Sequence, residues 1–91
     1  MEASAAMPAQ RTTYEKLRRE LRRRLADNLR SERKRLGLTQ ERTAERAGYS
    51  LQYFQRIERE MVNVPLDTVA RLANALQVDP VQLMGRRIGR A

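Results

Sequence analysis

Within twelve positions the chain starts a helix, stops it and starts another: Thr39, Gly48 and Ser50 all fall in GLTQERTAERAGYSLQYFQRIERE, residues 37–60. Threonine and serine cap helices by accepting from a backbone N–H of the first turn, which otherwise has no partner. Glycine ends helices because it adopts the left-handed conformation without a Cβ penalty. The spacing predicts one helix from Thr39 to Ala47 and a second from Leu51 to about Arg59, joined at Gly48.

At about 100° per residue, Ser50, Phe54, Ile57 and Glu58 cluster on one side of the second helix, with Leu51 at the edge. Gln52, Arg56 and Arg59 cluster opposite, and Gln55 lies on a flank. A helix anchored on one side, with glutamine and arginine on the other, suits the major groove of DNA. Glutamine can make paired hydrogen bonds to adenine and arginine to guanine, each discriminating by roughly 1–3 kcal/mol. Leu51 can touch a thymine methyl, and the Tyr53 phenol, between the faces, can donate to a phosphate. Gln55 fits an ordinary exposed surface as well as it fits base reading. Gln52 and Arg56 favour base reading, because a matching scaffold helix stands immediately before them.

The charge pattern agrees. Of the formal +8, residues 11–36 hold eleven Lys/Arg against four Asp/Glu, whereas residues 37–84 hold five against six. The ends attract phosphate and the middle reads bases, although any one arginine on such a helix is better read as a solvated side chain. The absence of cysteine and histidine excludes disulfides and thiolate metal sites and removes the commonest general base. No catalytic set converges, so no enzyme, cofactor or metal is expected. No apolar run approaches the roughly 18 residues of a membrane span, and residues 1–10 lack a secretory pattern. A cytoplasmic location without membrane contact is expected. At 91 residues there is room for one small domain.

Elsewhere the helical signals are equally plain. Residues 12–36 lack Gly and Pro, Thr12 with Glu15 fits a capping box, and Gly37 stops the run. Tyr14, Leu17, Leu21, Leu25, Leu29 and Leu36 form a stripe that Arg18, Asn28 and Glu32 interrupt. One long helix is expected, with a joint near Asp27 as an option. Leu66, Val69, Leu72, Ala73 and Leu76 mark a fourth helix. Asp79 and Pro80 open a short fifth one, through Val81, Leu83 and Met84, that Gly85 ends. No alternating pattern predicts a strand.

Residues 25–84 resemble the phage-repressor and Cro-like helix-turn-helix family, also called Xre-type. The likeness rests on NLRSERKRLGLTQ, on TAERAG followed by a Ser-capped helix with RIER, and on PLDTVARLANALQVDP with the closing QLM. No single string is decisive, but together and in this order they are specific. The resemblance implies an all-α, compact five-helix, lambda-repressor-like bundle, its first helix extended at the N-terminus. The expected division is a disordered lead over 1–11, a basic amphipathic extension over 12–24, the helix-turn-helix domain over 25–85 and a flexible basic tail over 86–91.

The resemblance also implies roles. Leu51, Gln52 and Arg56 match positions that face base edges, with Gln55 beside them. Gln40 matches a phosphate-binding glutamine, and further phosphate contacts are expected from Thr39, Tyr49, Ser50, Tyr53 and Arg59. Arg22, Arg23 and Arg30 are accessory candidates. Arg33 and Glu58 match a buried ion pair between the first and third helices.

The chain departs from the family at Thr43, where leucine is usual and the core is expected to be slightly underfilled, and at Tyr49, whose hydroxyl is expected to reach solvent or phosphate. After the third helix an apolar segment, Met61, Val62 and Val64, replaces a basic loop. Either it tucks under the fourth helix or it meets a partner. The extension can cross the DNA backbone, pair with its twin or another protein through the stripe of Tyr14, Leu17 and Leu21, or lie on a membrane surface. Partner packing by the stripe, with electrostatic help from the arginines, is favoured and the membrane ranks last. The stripe residues, with Met61, Val62, Val81 and Met84, are the dimer or partner candidates.

The function implied is a sequence-specific double-stranded DNA-binding regulator, a homodimer on a near-palindromic operator, with a second regulatory protein as an option. Small phage repressors, restriction–modification controllers and antitoxins all fit. The alternative is an adaptor whose partner surface is the extended helix and the 61–64 loop.

Overall fold

The computed structural model describes the backbone of residues 7–86 and the side chains of residues 13–86. The start of the expected lead, residues 1–6, and the tail after Arg86 lie outside the described residues. Within them are five helices and no strand: α1 (Met7–Arg35), α2 (Gln40–Ala47), α3 (Leu51–Glu58), α4 (Leu66–Leu76) and α5 (Pro80–Met84).

Helix α1 is longer than the sequence suggests. It begins at Met7, so Thr12 lies inside it and cannot cap it, and residues 7–11 are helical where a disordered lead was expected. Pro8 sits in the first turn, where its missing N–H costs nothing, and Ala9, Gln10 and Arg11 favour helix. There is no joint at Asp27. Its carboxylate accepts from Arg30 at 3.1 Å, one turn on, instead of capping a new helix. The helix closes at Gly37 (φ 70°), with Gly37 N–H donating to the Lys34 carbonyl and Leu38 N–H to the Arg33 carbonyl.

The core is built where the five helices meet. Phe54, Leu29, Ile57, Leu72, Leu76 and Leu83 are its largest fully buried side chains, each contributing about 1.5–3 kcal/mol by leaving water. Helix α1 packs on α3 and α5, α2 on α3 and α4, and α4 on α5. Buried Thr43 donates its hydroxyl to the Thr39 carbonyl one turn back (2.9 Å), which satisfies the polar group that replaces a leucine.

Asn28, which interrupts the apolar stripe of α1, is buried for a purpose. Its Nδ2 donates to the carbonyls of Leu83 and Gly85, both at 2.8 Å. One side chain thereby satisfies two carbonyls at the end of α5 and ties that helix to α1. The α5 start carries a full capping box: Val81 N–H donates to the Asp79 carboxylate and Asp79 N–H to Gln82 Oε1.

Two expectations need correction. Leu66 lies on the α4 stripe by spacing but is 83% exposed, because the helix turns its Val69, Leu72, Ala73 and Leu76 face inward instead. The 61–64 segment divides. Val62 and Val64 pack on the core, while Met61 points to solvent and Asn63 accepts from the Arg22 guanidinium of α1. Tyr14, Leu17 and Leu21 continue the stripe past the bundle, where they remain exposed.

Candidate nucleic-acid interface

Helix α3 is held by its neighbours on one side and open on the other. Ser50 caps it, its Oγ accepting from Tyr53 N–H at 3.1 Å. Thr39 caps α2 in the same way, its Oγ1 accepting from Arg42 N–H at 3.0 Å. Gly48 closes α2 with φ 83°, its N–H reaching the Ala44 and Glu45 carbonyls. That left-handed residue bends the chain so that only three residues, Gly48, Tyr49 and Ser50, separate α2 from α3. Phe54, Ile57 and Glu58 are buried, whereas Gln52, Arg56 and Arg59 are exposed. The exposed side therefore carries the groups that can read base edges. Leu51 and Gln55, at its borders, are half-buried.

An ionic network sets the position of this helix. Arg33 donates through Nε to Glu58 Oε2 at 2.9 Å and through a terminal nitrogen to Glu58 Oε1 at 3.1 Å. The two side chains are 12% and 1% exposed. Arg33 also donates to the Leu38 carbonyl at 3.2 Å, and Gln40 Nε2 donates to Glu58 Oε1 at 2.9 Å. One carboxylate thus collects donors from α1 and α2 and fixes the last turn of α3 against both. Arg30 adds a bond from its guanidinium to the Glu58 carbonyl at 3.0 Å, capping the C-terminal end of α3.

Several residues expected at phosphates are occupied within the molecule. Tyr49 donates its hydroxyl to Thr68 Oγ1 at 3.0 Å and lies half-buried on the core, so it does not reach outward. Its ring meets Tyr53 at 5.1 Å between centroids, and the Arg71 guanidinium sits 5.8 Å from its centre. Arg22 is turned to Asn63, and Arg30 to Glu58 and Asp27. The physical reason is shared. Each side chain lies within reach of an acceptor on a neighbouring element, and a half-buried guanidinium or phenol takes it. Gln40 has a partner at each end of its amide, Glu58 and Gln55. Arg23, Thr39, Ser50 and Arg59 remain exposed.

Helices α4 and α5 form an apolar groove of about 490 Å³ lined by Leu66, Val69, Ala70, Pro80, Val81, Met84 and Gly85. Val81 is 73% exposed and Met84 half-buried there. Among the described residues no group of acidic side chains is placed to hold a metal ion, and no helix is long and apolar enough to cross a membrane.

Residues 18–84 match the family model described as a helix-turn-helix domain. The chain belongs to that family. Among solved structures it is similar to a hypothetical transcription factor, NHTF, from Neisseria, with 34% identity, 77% of this chain and 80% of that one covered, and a TM-score of 0.73. It is similar also to the restriction-modification controller protein C.AhdI from Aeromonas hydrophila (34% identity, 68% and 90% covered, TM-score 0.66). A third is the clp gene regulator ClgR from C. glutamicum (30% identity, 69% and 82% covered, TM-score 0.66). No protein of curated function matches significantly. The fold is that of Xre-type helix-turn-helix regulators, and the coarse function is that of a DNA-binding transcription regulator. The matched proteins are described as a hypothetical transcription factor, a controller protein and a gene regulator.

Three structural contacts of this helix-turn-helix protein were not anticipated from the sequence. Asn28 could have been found, because a polar residue within an apolar stripe asks for a partner. The Arg30 cap on α3 and the Gln40–Glu58 bond carry no local signal, since both join positions far apart in the chain.

Proposed function

We propose that the protein reads a specific operator in double-stranded DNA as a homodimer, inserting α3 into the major groove. The observation that carries the proposal is the exposure of Gln52 and Arg56 on a helix whose other side is locked by Phe54, Ile57 and the Arg33–Glu58 pair. Arg56 fits guanine and Gln52 adenine, with Leu51 beside them for a thymine methyl. Thr39 and Ser50 place the N-terminal ends of α2 and α3 outward, where backbone N–H groups favour phosphate, and Arg59, Arg23 and Tyr53 supply further contacts. The unit responsible is residues 25–85, with 12–24 as its basic helical extension, acting in the cytoplasm and by binding without catalysis.

A single module of this size covers too little DNA for selective binding, and pairing on a near-palindrome is the common remedy. The apolar groove of Leu66, Val81 and Met84 favours pairing through α4 and α5, which leaves the exposed side chains of α3 out of the interface. The alternative reading as an adaptor draws on the exposed stripe of Tyr14, Leu17 and Leu21 with Met61, which a second regulatory protein could cover. Selection of bound fragments from a random duplex pool tests the proposal. A two-fold motif with half-sites about one helical turn or a multiple apart is expected. Enrichment of no sequence, with uniform binding that salt abolishes, would favour the adaptor.

A further inference from the structure

Gln55 sits on the flank of α3, and its amide is not free to turn. The chain of cause begins at Glu58, whose side chain is 1% exposed and paired with Arg33. A carboxylate so paired has only acceptors to offer, so Gln40 must meet it with its NH2 group. It does so, Nε2 donating to Glu58 Oε1 at 2.9 Å. Turning the Gln40 amide over would press its oxygen against the carboxylate oxygen, two acceptors in a site nearly closed to water. The Gln40 oxygen is therefore held on the other side, where it accepts from Gln55 Nε2 at 3.2 Å. The same constraint then passes on. Gln55 must turn its NH2 toward Gln40, which leaves its own oxygen and one remaining N–H for another partner.

We propose that Gln40 is a positioning residue for base recognition: through the Glu58–Gln40–Gln55 relay it holds the Gln55 amide in one of two orientations. Gln55 then offers DNA an acceptor and a donor in fixed order. The base edge that matches is adenine, whose N6 amine donates to the glutamine oxygen and whose N7 accepts the remaining N–H. This inference rests on α3 lying in the major groove. It differs from a phosphate contact by Gln40, which would help every duplex alike. It also gives Gln55 a defined role, where position on the helix wheel leaves it undecided.

The test uses the full chain and the operator duplex found by selection, varied at each position through all four base pairs. Wild type, Gln40→Met, Gln55→Ala and the double variant are compared by fluorescence anisotropy, with melting curves to confirm folding. Gln55→Ala should lose about tenfold of its preference for adenine at one position of each half-site. Gln40→Met should lose a similar factor at that same position, and the double variant no more than either alone. Other positions keep their preference. Uniform weakening of all duplexes by Gln40→Met, or losses that multiply in the double variant, would overturn the relay. A second measurement needs no variant: NMR of the free wild-type protein should show the one Gln55 side-chain N–H that faces Gln40 protected from hydrogen exchange. An amide that exchanges at the rate of a free glutamine overturns the relay directly. Wild type without preference at any position removes the DNA reading and the relay together. Preference that survives both Gln55→Ala and Gln40→Met removes the relay alone.

Discussion

Replacing Glu58 separates a structural cause from a functional one. The carboxylate accepts from Arg33 twice and from Gln40 once, on a side chain 1% exposed. Glu58→Leu strands the Arg33 guanidinium, itself 12% exposed, in a site with little water to solvate it. Loss of one partner of such a pair costs roughly 3–5 kcal/mol. Total stability for a domain of this kind is about 5–15 kcal/mol, so the variant should lose between about a fifth and all of it. Its melting midpoint should fall by at least about 12 °C, taking about 4 °C per kcal/mol as the lower limit for this size. Arg33→Met alone should cost a similar amount, because it leaves the buried carboxylate with Gln40 as its remaining donor. The double variant, Arg33→Met with Glu58→Leu, removes both charges and fills the space with apolar groups of similar volume. Its residual loss should be about 1–3 kcal/mol, from the unpaired Leu38 carbonyl and Gln40 amide. Urea denaturation at 25 °C measures all four proteins. The expected order has the double variant more stable than either single one. A double variant whose loss equals the sum of the two single losses would show that the pair is not coupled and would refute the burial argument.

Three further outcomes follow from the same structure. Asn28→Ala leaves the Leu83 and Gly85 carbonyls without their donor, and should cost about 1–3 kcal/mol with early loss of hydrogen-exchange protection in α5; a neutral effect would mean that α5 is held by Leu83 alone. Val81→Asp places a charge in the α4–α5 groove and should turn a dimer into a monomer by sedimentation while leaving the melting curve of the monomer unchanged; a persistent dimer would move the interface elsewhere. Arg56→Ala should relax preference at one base position of each half-site by about 1–3 kcal/mol, and equal weakening on all sequences would make Arg56 a phosphate contact instead.

The sequence made the local punctuation legible. Thr39, Gly48, Ser50 and Asp79 act where their chemistry says they should, because caps and left-handed stops depend on a few neighbouring residues. Exposure of Gln52 and Arg56 followed from helical spacing once Phe54 and Ile57 pointed inward. What stayed hidden depends on distant partners. Arg22, Arg30 and Tyr49 read as outward groups until Asn63, the Glu58 carbonyl and Thr68 came within reach. Leu66 looked like core because spacing says which residues share a face, not how far that face extends over the next helix. The end of α4 was equally silent. Gln77 adopts φ 60° there, and no glycine marks the turn.

The central claim is that the exposed side of α3 distinguishes base sequences. The direct measurement compares the affinity of the wild-type protein for its selected duplex with that for a shuffled duplex of identical length and composition, at about 150 mM salt. A ratio of about 10³ or more is predicted, falling sharply when Gln52 and Arg56 are both replaced by alanine. Equal affinity for the two duplexes, with no change in the double variant, would contradict it.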